Sequence, residues 1–173
     1  KNIIISLKNN NLDPEIISGG GTGSHELDAK SKLFTELQPG SYIFNDVEYN
    51  NVSIYKSNNK HFSPALIIGT SVISRINKKQ YVVDAGLKAI SADSNLMPLP
   101  MEPTPFGTKY SFLGDEHGKI TLPKSSKIEL SLGDKVYIQP AHCDPTINLY
   151  DKCLILDENK SIKTWNIDAR GYG

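Results

Sequence analysis

The sequence predicts an α+β protein in which a short mixed segment precedes a mainly β domain. A glycine-rich loop at residues 18–24 links a short apolar run to a helical stretch, the pattern of a strand that leads into a helix. From about residue 59, short apolar runs alternate with turn residues, and helical periodicity nearly disappears. These features indicate a sandwich or barrel-like β domain. We therefore divide the chain into residues 1–58 and residues 59–173, at the polar linker Asn58–His61.

Composition places the chain among ordinary globular proteins, with 38% hydrophobic and 22% charged residues over 173 positions. The formal net charge of zero gives no sign of a nucleic-acid partner or of an anionic membrane surface. Apolar runs such as Ala65–Ile68 are far too short to span a bilayer. Two cysteines are too few for a disulfide framework, so we expect reduced thiols and a cytoplasmic location.

Several elements are predicted before the linker. The run Ile3–Ile5 suits a buried strand or the tail of a helix, and Ile16–Ser18 reads as the end of a strand. A short helix is expected over His25–Lys30 with Ser24 as its N-cap. A further strand is expected over Tyr42–Phe44.

Beyond the linker, apolar runs bounded by turn residues predict eight strands. Hairpin turns are expected at residues 77–79 and 157–160, and the proline-rich residues 97–106 are expected to form a loop. The predicted strands cover residues 65–76, 80–84, 110–113, 119–122, 127–130, 135–139, 153–156 and 161–167.

The glycine-rich loop is a candidate phosphate site. Backbone N–H groups of Gly20 and Gly21 and the hydroxyl of Thr22 can approach a phosphate closely at a strand-to-helix junction. The loop lacks the lysine and the spacing of a Walker loop. On spacing alone, a plain turn is the more common outcome.

A second candidate site lies between Pro140 and Pro145, where an imidazole, a thiol and a carboxylate occur in succession. The two prolines argue against a helix and favour an extended backbone. His142 and Asp144 would then point to one side as half of a divalent-metal site, with Cys143 on the other side. In the alternative interpretation, Asp144 caps a local turn and His142 is a surface residue.

These motifs together resemble the D-threonine aldolase and D-serine dehydratase family, which are pyridoxal-phosphate enzymes of the alanine-racemase type. The segment from His142 to Asp151 is similar to the family's metal-binding segment. The other similar segments occur in the family's order, as a phosphate loop at residues 18–24, a last barrel strand at 37–42, and motifs at 83–89, 115–118 and 169–172.

The resemblance implies that residues 1–58 are the C-terminal end of a pyridoxal-phosphate-binding (β/α) barrel and that residues 59–173 form the C-terminal β domain. It implies a metal on His142 and Asp144, and a place for Glu116 or His117 near the active site. On spacing, His117 is more simply part of a hairpin turn. The residues implied to hold the cofactor phosphate are Ser18, Gly20, Gly21, Thr22, Gly40, Ser41 and Tyr42.

The resemblance also implies a reaction. In the family's dehydratases the metal segment looks like His-x-Cys. In this chain an aspartate, Asp144, stands at the position of that cysteine. An oxygen ligand favours manganese or magnesium, with zinc possible. That choice favours cleavage of D-β-hydroxy amino acids to glycine and an aldehyde. The alternatives are a D-serine dehydratase-like lyase and an inactive metal-binding β domain.

The lysine that holds the cofactor lies on an early barrel strand in this family. Lys30, Lys32 and Lys88 do not stand at that position. We therefore expect the isolated chain to be inactive, and an N-terminal barrel portion to be supplied by the same or a separate chain. The resemblance further implies a homodimer when the enzyme is intact.

Overall fold

The computed structural model describes residues 1–52, 62–157 and 161–171. The linker Asn58–His61, the proposed boundary at residue 58, most of the 157–160 turn and Tyr172 lie outside these ranges. The elements of the first range are α1 (Asn2–Asn9), β1 (Ser18–Gly19), α2 (His25–Ser31), β2 (Glu36–Leu37), a 3-10 helix (Ser41–Ile43) and α3 (Val47–Asn50). Those that follow are β3 (Ile68–Asn77), β4 (Gln80–Val83), β5 (Leu99–Pro100), β6 (Lys109–Phe112), β7 (Gly118–Thr121), β8 (Lys135–Gln139), α4 (Cys143–Ile147), β9 (Lys152–Leu156) and β10 (Ile162–Asn166).

An antiparallel six-stranded sheet dominates the second part of the chain, with strand order β5-β8-β3-β4-β7-β6. In its centre Val72 pairs with Val83 and Tyr81 pairs with Ile120. The edge strands β5 and β6 also approach each other, so the sheet nearly closes into a barrel. Its interior is filled by fully buried side chains, among them Tyr81, Val83, Ile90, Ile120, Val136 and Ile138. The predicted mainly β architecture is confirmed.

Two sequence predictions in this sheet were wrong. Residues 127–130 are not a strand, because the N–H of Ile128 donates to Ser126 Oγ and that of Leu130 donates to the Tyr81 hydroxyl. The predicted loop at 97–106 contains β5, which pairs with Gln139 and Ile138 of β8. Proline is compatible with this position because β5 is an edge strand.

The first range carries short parallel and helical pieces. Strands β1 and β2 run parallel, with Ser18 opposite Glu36, and α2 forms over the predicted residues. The Ile3–Ile5 run belongs to helix α1, where Ile3 and Ile5 are largely exposed. Among the described residues, no helix combines the length and apolarity needed to cross a membrane.

The strand expected over Tyr42–Phe44 is absent. The N–H groups of Phe44 and Asn45 both donate to the Ser41 carbonyl, which closes a tight helical turn. The N–H of Tyr42 donates to Thr22 Oγ1 at 3.1 Å and not to a neighbouring strand. The nearest strand, β2, ends at Leu37, before this turn begins.

The segment from Asn45 to Glu48 connects the two parts of the chain. Gln139 Nε2 donates to the Asn45 carbonyl at 3.2 Å, and the Glu48 N–H donates to the Ala141 carbonyl at 3.0 Å. Gln139 and Ala141 are almost fully buried. These bonds fix the start of α3 against the end of β8, where the predicted metal segment begins.

Candidate metal and phosphate site

The metal segment is helical and not extended as predicted. Helix α4 begins directly after His142, which has extended angles (φ −133°, ψ 120°). Pro145 occupies the first turn, where a missing N–H leaves no intrahelical bond unmade. His142 and Asp144 nevertheless converge, with 3.6 Å between His142 Nε2 and Asp144 Oδ2. The start of a helix, and not the two-residue period of a strand, brings them together.

Cys143 lies between these two residues in sequence but is fully buried. Burial raises the pKa of its thiol far above the ordinary value, and the carboxylates of Asp46 and Asp144 act in the same direction. A cysteine binds a metal as the thiolate and not as the neutral thiol. Without a metal, Cys143 is therefore a neutral and fully buried thiol, whereas the side chains of His142 and Asp144 are partly exposed.

A buried carboxylate, Asp46, organises the surrounding backbone. Its Oδ1 accepts the Tyr49 N–H at 2.8 Å as the N-cap of α3, and its Oδ2 accepts the Cys143 N–H at 2.7 Å at the start of α4. Asp46 is completely inaccessible to solvent. One side chain thus satisfies open N–H groups of two helices and fixes α4 relative to α3.

Asp144 is held by Ser41. The Ser41 hydroxyl donates to the carboxylate, with Oγ 2.7 Å from Oδ2 and 3.0 Å from Oδ1. Tyr49 lies beside this pair and hydrogen-bonds to Ser41. Burial raises the Tyr49 pKa despite that bond, and the charge of Asp144 adds to the increase. The family resemblance implies a place for Ser41 at the phosphate site, and no local pattern predicts this contact, because 103 residues separate Ser41 from Asp144.

The other ring nitrogen of His142 contacts Asp93, a residue that sequence analysis missed. Asp93 Oδ2 lies 2.6 Å from His142 Nδ1, and Glu48 Oε2 lies 4.0 Å from the same nitrogen. Burial opposes the charged imidazolium, but the bond to Asp93 and the charges of Asp93, Asp144 and Asp46 outweigh it and raise the His142 pKa. No local sequence signal links residues 49 positions apart.

The glycine-rich loop has one closed side and one open side. Gly20 has φ +77°, and a Cβ there would stand 2.5 Å from Asp28 Oδ2, so only glycine suits this position. A Cβ on Gly21 would meet nothing within 4 Å. An anion would therefore have to approach from the Gly21 side, away from the Asp28 carboxylate.

The other residues predicted for the phosphate differ in their surroundings. The Ser18 hydroxyl donates to Glu36 Oε1 at 2.6 Å, across the β1–β2 pair. Thr22 is buried, and its hydroxyl oxygen accepts the Tyr42 N–H. A Cβ on Gly40 would meet nothing within 4 Å. Gly21 and Gly40 are therefore the two predicted glycines with open space beside them.

Neighbouring residues connect the loop to the metal pair. Ser41 contacts Asp144, and Tyr42 contacts Thr22 of the glycine loop. The 3-10 turn thus lies between the two predicted sites and holds both. This arrangement brings the two sequence motifs into one region of the molecule.

His117 lies in the exposed β6–β7 hairpin, where its carbonyl accepts the Leu113 N–H. The hairpin turn predicted from spacing is confirmed, and a role for His117 in the site stays a prediction. Over residues 1–52, 62–157 and 161–171, no three His, Cys, Asp or Glu side chains are grouped so as to hold a metal. His142 and Asp144 are thus a two-ligand arrangement.

Known proteins resemble this chain over most of its length. The 3-hydroxy-D-aspartate aldolase of Paracoccus denitrificans (strain Pd 1222) is 37% identical over 179 residues, covering 100% of this chain and 44% of that protein. The crystal structure of D-threonine aldolase from Filomicrobium marinum has 35% identity and a TM-score of 0.86, covering 97% of this chain and 45% of that chain.

A third similarity concerns the fold alone. An alanine-racemase-like protein from Idiomarina loihiensis has a TM-score of 0.80 at 22% identity, covering 94% of this chain and 46% of that chain. This chain therefore spans less than half the length of each relative, and it corresponds to the C-terminal part of D-threonine and 3-hydroxyaspartate aldolase-like enzymes. Residues 65–156, more than half of the chain, match a family model, and the chain belongs to the family described as the putative serine dehydratase domain.

Proposed function

We propose that this chain is the metal-carrying C-terminal portion of a pyridoxal-phosphate enzyme that cleaves D-β-hydroxy amino acids to glycine and an aldehyde. One observation carries the proposal. His142 Nε2 faces Asp144 Oδ2 at 3.6 Å, while the intervening Cys143 is buried. The aldolase names of the relatives from Paracoccus denitrificans and Filomicrobium marinum support the same reaction class.

The donor atoms fit a shared divalent ion. Two metal–ligand bonds of about 2.1 Å that meet at a right or tetrahedral angle join ligand atoms about 3.0 to 3.4 Å apart. The observed 3.6 Å between the two side chains is close to that range. The His142 and Asp144 side chains are 27% and 54% exposed, so an ion and a substrate can reach them.

The ligand set favours manganese or magnesium. A carboxylate oxygen is a hard ligand, and the neighbouring Cys143 is fully buried, so it does not offer the accessible soft ligand that would favour zinc. Zinc can still bind through the His142 nitrogen. When bound, the metal supplies positive charge that lowers the pKa of a substrate hydroxyl.

The cofactor phosphate is proposed to bind on the open side of the glycine loop, at the backbone of Gly20, Gly21 and Gly40. Thr22 and Tyr42 hold the loop against the 3-10 turn through their mutual hydrogen bond. The pyridoxal ring, when bound, supplies the electron sink for bond cleavage. The residues of this chain position the phosphate and the metal relative to each other.

The proposed enzyme also needs a cofactor-binding lysine and a barrel portion. The lysine that holds the cofactor is proposed to belong to a barrel portion equivalent to the other half of the relatives. The intact enzyme is proposed to be a cytoplasmic homodimer. In each chain the barrel portion is proposed to end near residue 58, where the β domain begins. His117 is proposed to lie close to the active site. Without the lysine, the isolated chain should not cleave substrate.

A chimera tests the proposal. The matching 45% of the Filomicrobium marinum D-threonine aldolase is replaced by residues 1–173, and the protein is assayed with pyridoxal phosphate and Mn²⁺. We expect D-threonine to yield equal amounts of glycine and acetaldehyde, and the His142→Gln and Asp144→Asn variants to be inactive.

Other outcomes of the chimera assay distinguish the alternatives. Pyruvate and ammonia from D-serine, without cleavage of D-threonine, would indicate the dehydratase. A folded chimera that binds the cofactor but converts neither substrate would indicate an inactive metal-binding domain. Either result contradicts the proposed function.

A further inference from the structure

The loop between β4 and β5 carries Asp93, a carboxylate that is not one of the two proposed metal ligands. Asp93 Oδ2 lies 2.6 Å from Nδ1 of His142, whereas Asp144 faces Nε2. The two ring nitrogens point in different directions, so a carboxylate bonded to Nδ1 cannot reach an ion bound at Nε2. Asp93 is therefore outside the ligand set and contacts it only through the imidazole.

Asp93 is itself held by Ser91, which is in turn bonded to helix α4. The Ser91 hydroxyl donates to Asp93 Oδ1 at 2.7 Å, and the Ser91 N–H donates to Thr146 Oγ1 at 3.2 Å. The Thr146 hydroxyl in turn donates to the His142 carbonyl at 2.7 Å, and Thr146 is fully buried. The Asp93 loop is thus fastened to helix α4, which carries His142 at its start.

We propose that Asp93 is a positioning residue, which accepts the Nδ1–H of His142 and so leaves Nε2 as the bare nitrogen that faces Asp144. An imidazole nitrogen binds a metal only through its free lone pair, and the hydrogen bond at the other nitrogen decides which one is free. The ring orientation is fixed by the same bond. The effect of Asp93 on metal affinity rests on the proposed function, whereas its effect on the His142 tautomer does not.

Nitrogen-15 NMR of the labelled chain measures the tautomer directly. The spectra are recorded without metal at pH about 9, well above the ordinary imidazole pKa of about 6.5. The chain has four histidines, so the His142 signals are assigned from their loss in His142→Gln. We expect wild-type His142 to carry its proton on Nδ1, and Asp93→Ala to move a large share of it to Nε2.

A conservative variant separates positioning from simple charge pairing. Asp93→Asn keeps an oxygen that can accept from Nδ1–H but loses the charge, so it should retain the wild-type tautomer. Glu48→Gln is the matched control, because Glu48 lies 4.0 Å from the same nitrogen, beyond hydrogen-bonding distance. Amide fingerprint spectra show that each variant remains folded.

Metal titration supplies the second readout. Asp93→Ala should weaken Mn²⁺ binding about 10- to 100-fold, the usual effect of removing such a partner, and Asp93→Asn should weaken it less. An unchanged tautomer in Asp93→Ala overturns the proposal, as does a changed tautomer with unchanged Mn²⁺ affinity. If wild-type chain fails to bind Mn²⁺, the proposed function fails, and the NMR result alone decides the positioning role.

Discussion

The hydroxyl of Ser41 donates to the carboxylate of Asp144, at 2.7 Å from Oδ2 and 3.0 Å from Oδ1. Ser41 belongs to the short turn after β2, and Asp144 to the helix after β8. The contact therefore joins the glycine-loop region to the metal segment. It orients one of the two proposed metal ligands through a residue that is itself 8% exposed.

Replacement of Ser41 should weaken metal binding without removing a ligand. Ser41→Ala releases the Asp144 carboxylate, so we expect Mn²⁺ affinity to fall about tenfold, as for other residues that orient metal ligands. Calorimetric titration of the chain with Mn²⁺ measures the change. Ser41→Thr keeps the hydroxyl and is the control. Equal affinity of the wild-type and Ser41→Ala chains would show that this bond does not support the site.

Loss of the buried carboxylate of Asp46 should destabilise the fold. Asp46→Ala leaves the N–H groups of Tyr49 and Cys143 without their acceptors, and we expect the free energy of unfolding to fall by about 2 to 3 kcal/mol. Urea unfolding followed by circular dichroism measures it. Asp134→Ala removes one exposed acceptor, that of the Ser131 N–H, and should cost about 1 kcal/mol or less. Similar losses in both variants would contradict the double-capping role.

The raised pKa of His142 predicts the pH dependence of its contribution to stability. Because the folded-state pKa lies above the unfolded one, the stabilisation is fully present below the unfolded value of about 6.5 and is lost as pH rises through the folded value. In metal-free urea unfolding, His142→Gln should therefore lose more stability at pH about 5.5 than at pH about 9. Asp93→Asn, which keeps an acceptor oxygen but removes the negative charge beside Nδ1, should reduce the same difference. A larger loss at high pH would reverse the predicted sign.

Exchange of the carboxylate ligand should change the metal preference. Asp144→Cys places an accessible thiol beside His142, so the ratio of zinc to manganese affinity should rise. The control is Cys143→Ser, which should leave metal binding nearly unchanged, because the Cys143 thiol is fully buried. Competition titrations with both ions measure the ratios. If Cys143→Ser abolishes binding, the proposed ligand pair is wrong.

The sequence predicted most of the sheet because the signals there are local. Apolar runs bounded by turns fall on β3, β4, β6, β7 and β8, and the Asn77–Lys79 turn is where it was expected. The run at 127–130 has the same composition but bonds to side chains of Ser126 and Tyr81. No pattern within such a run distinguishes these partners from a neighbouring strand.

The site was predicted in part. His142 and Asp144 were named from residue type and spacing, although the helix at Pro145 was missed because proline in a first turn looks the same in sequence as a helix breaker. Asp93 and Asp46 were not named. Each acts through a contact that joins distant parts of the chain, and such contacts are set by the packing of α3, α4 and the β4–β5 loop.

Binding of one divalent ion by His142 and Asp144 can be measured by electron paramagnetic resonance of Mn²⁺. Titration of the chain reports free Mn²⁺ and so gives both stoichiometry and affinity. We expect one bound ion per wild-type chain, its loss in His142→Gln and in Asp144→Asn, and its retention in His117→Gln. Binding of Mn²⁺ by His142→Gln or Asp144→Asn with wild-type affinity would show that these two side chains are not the ligands.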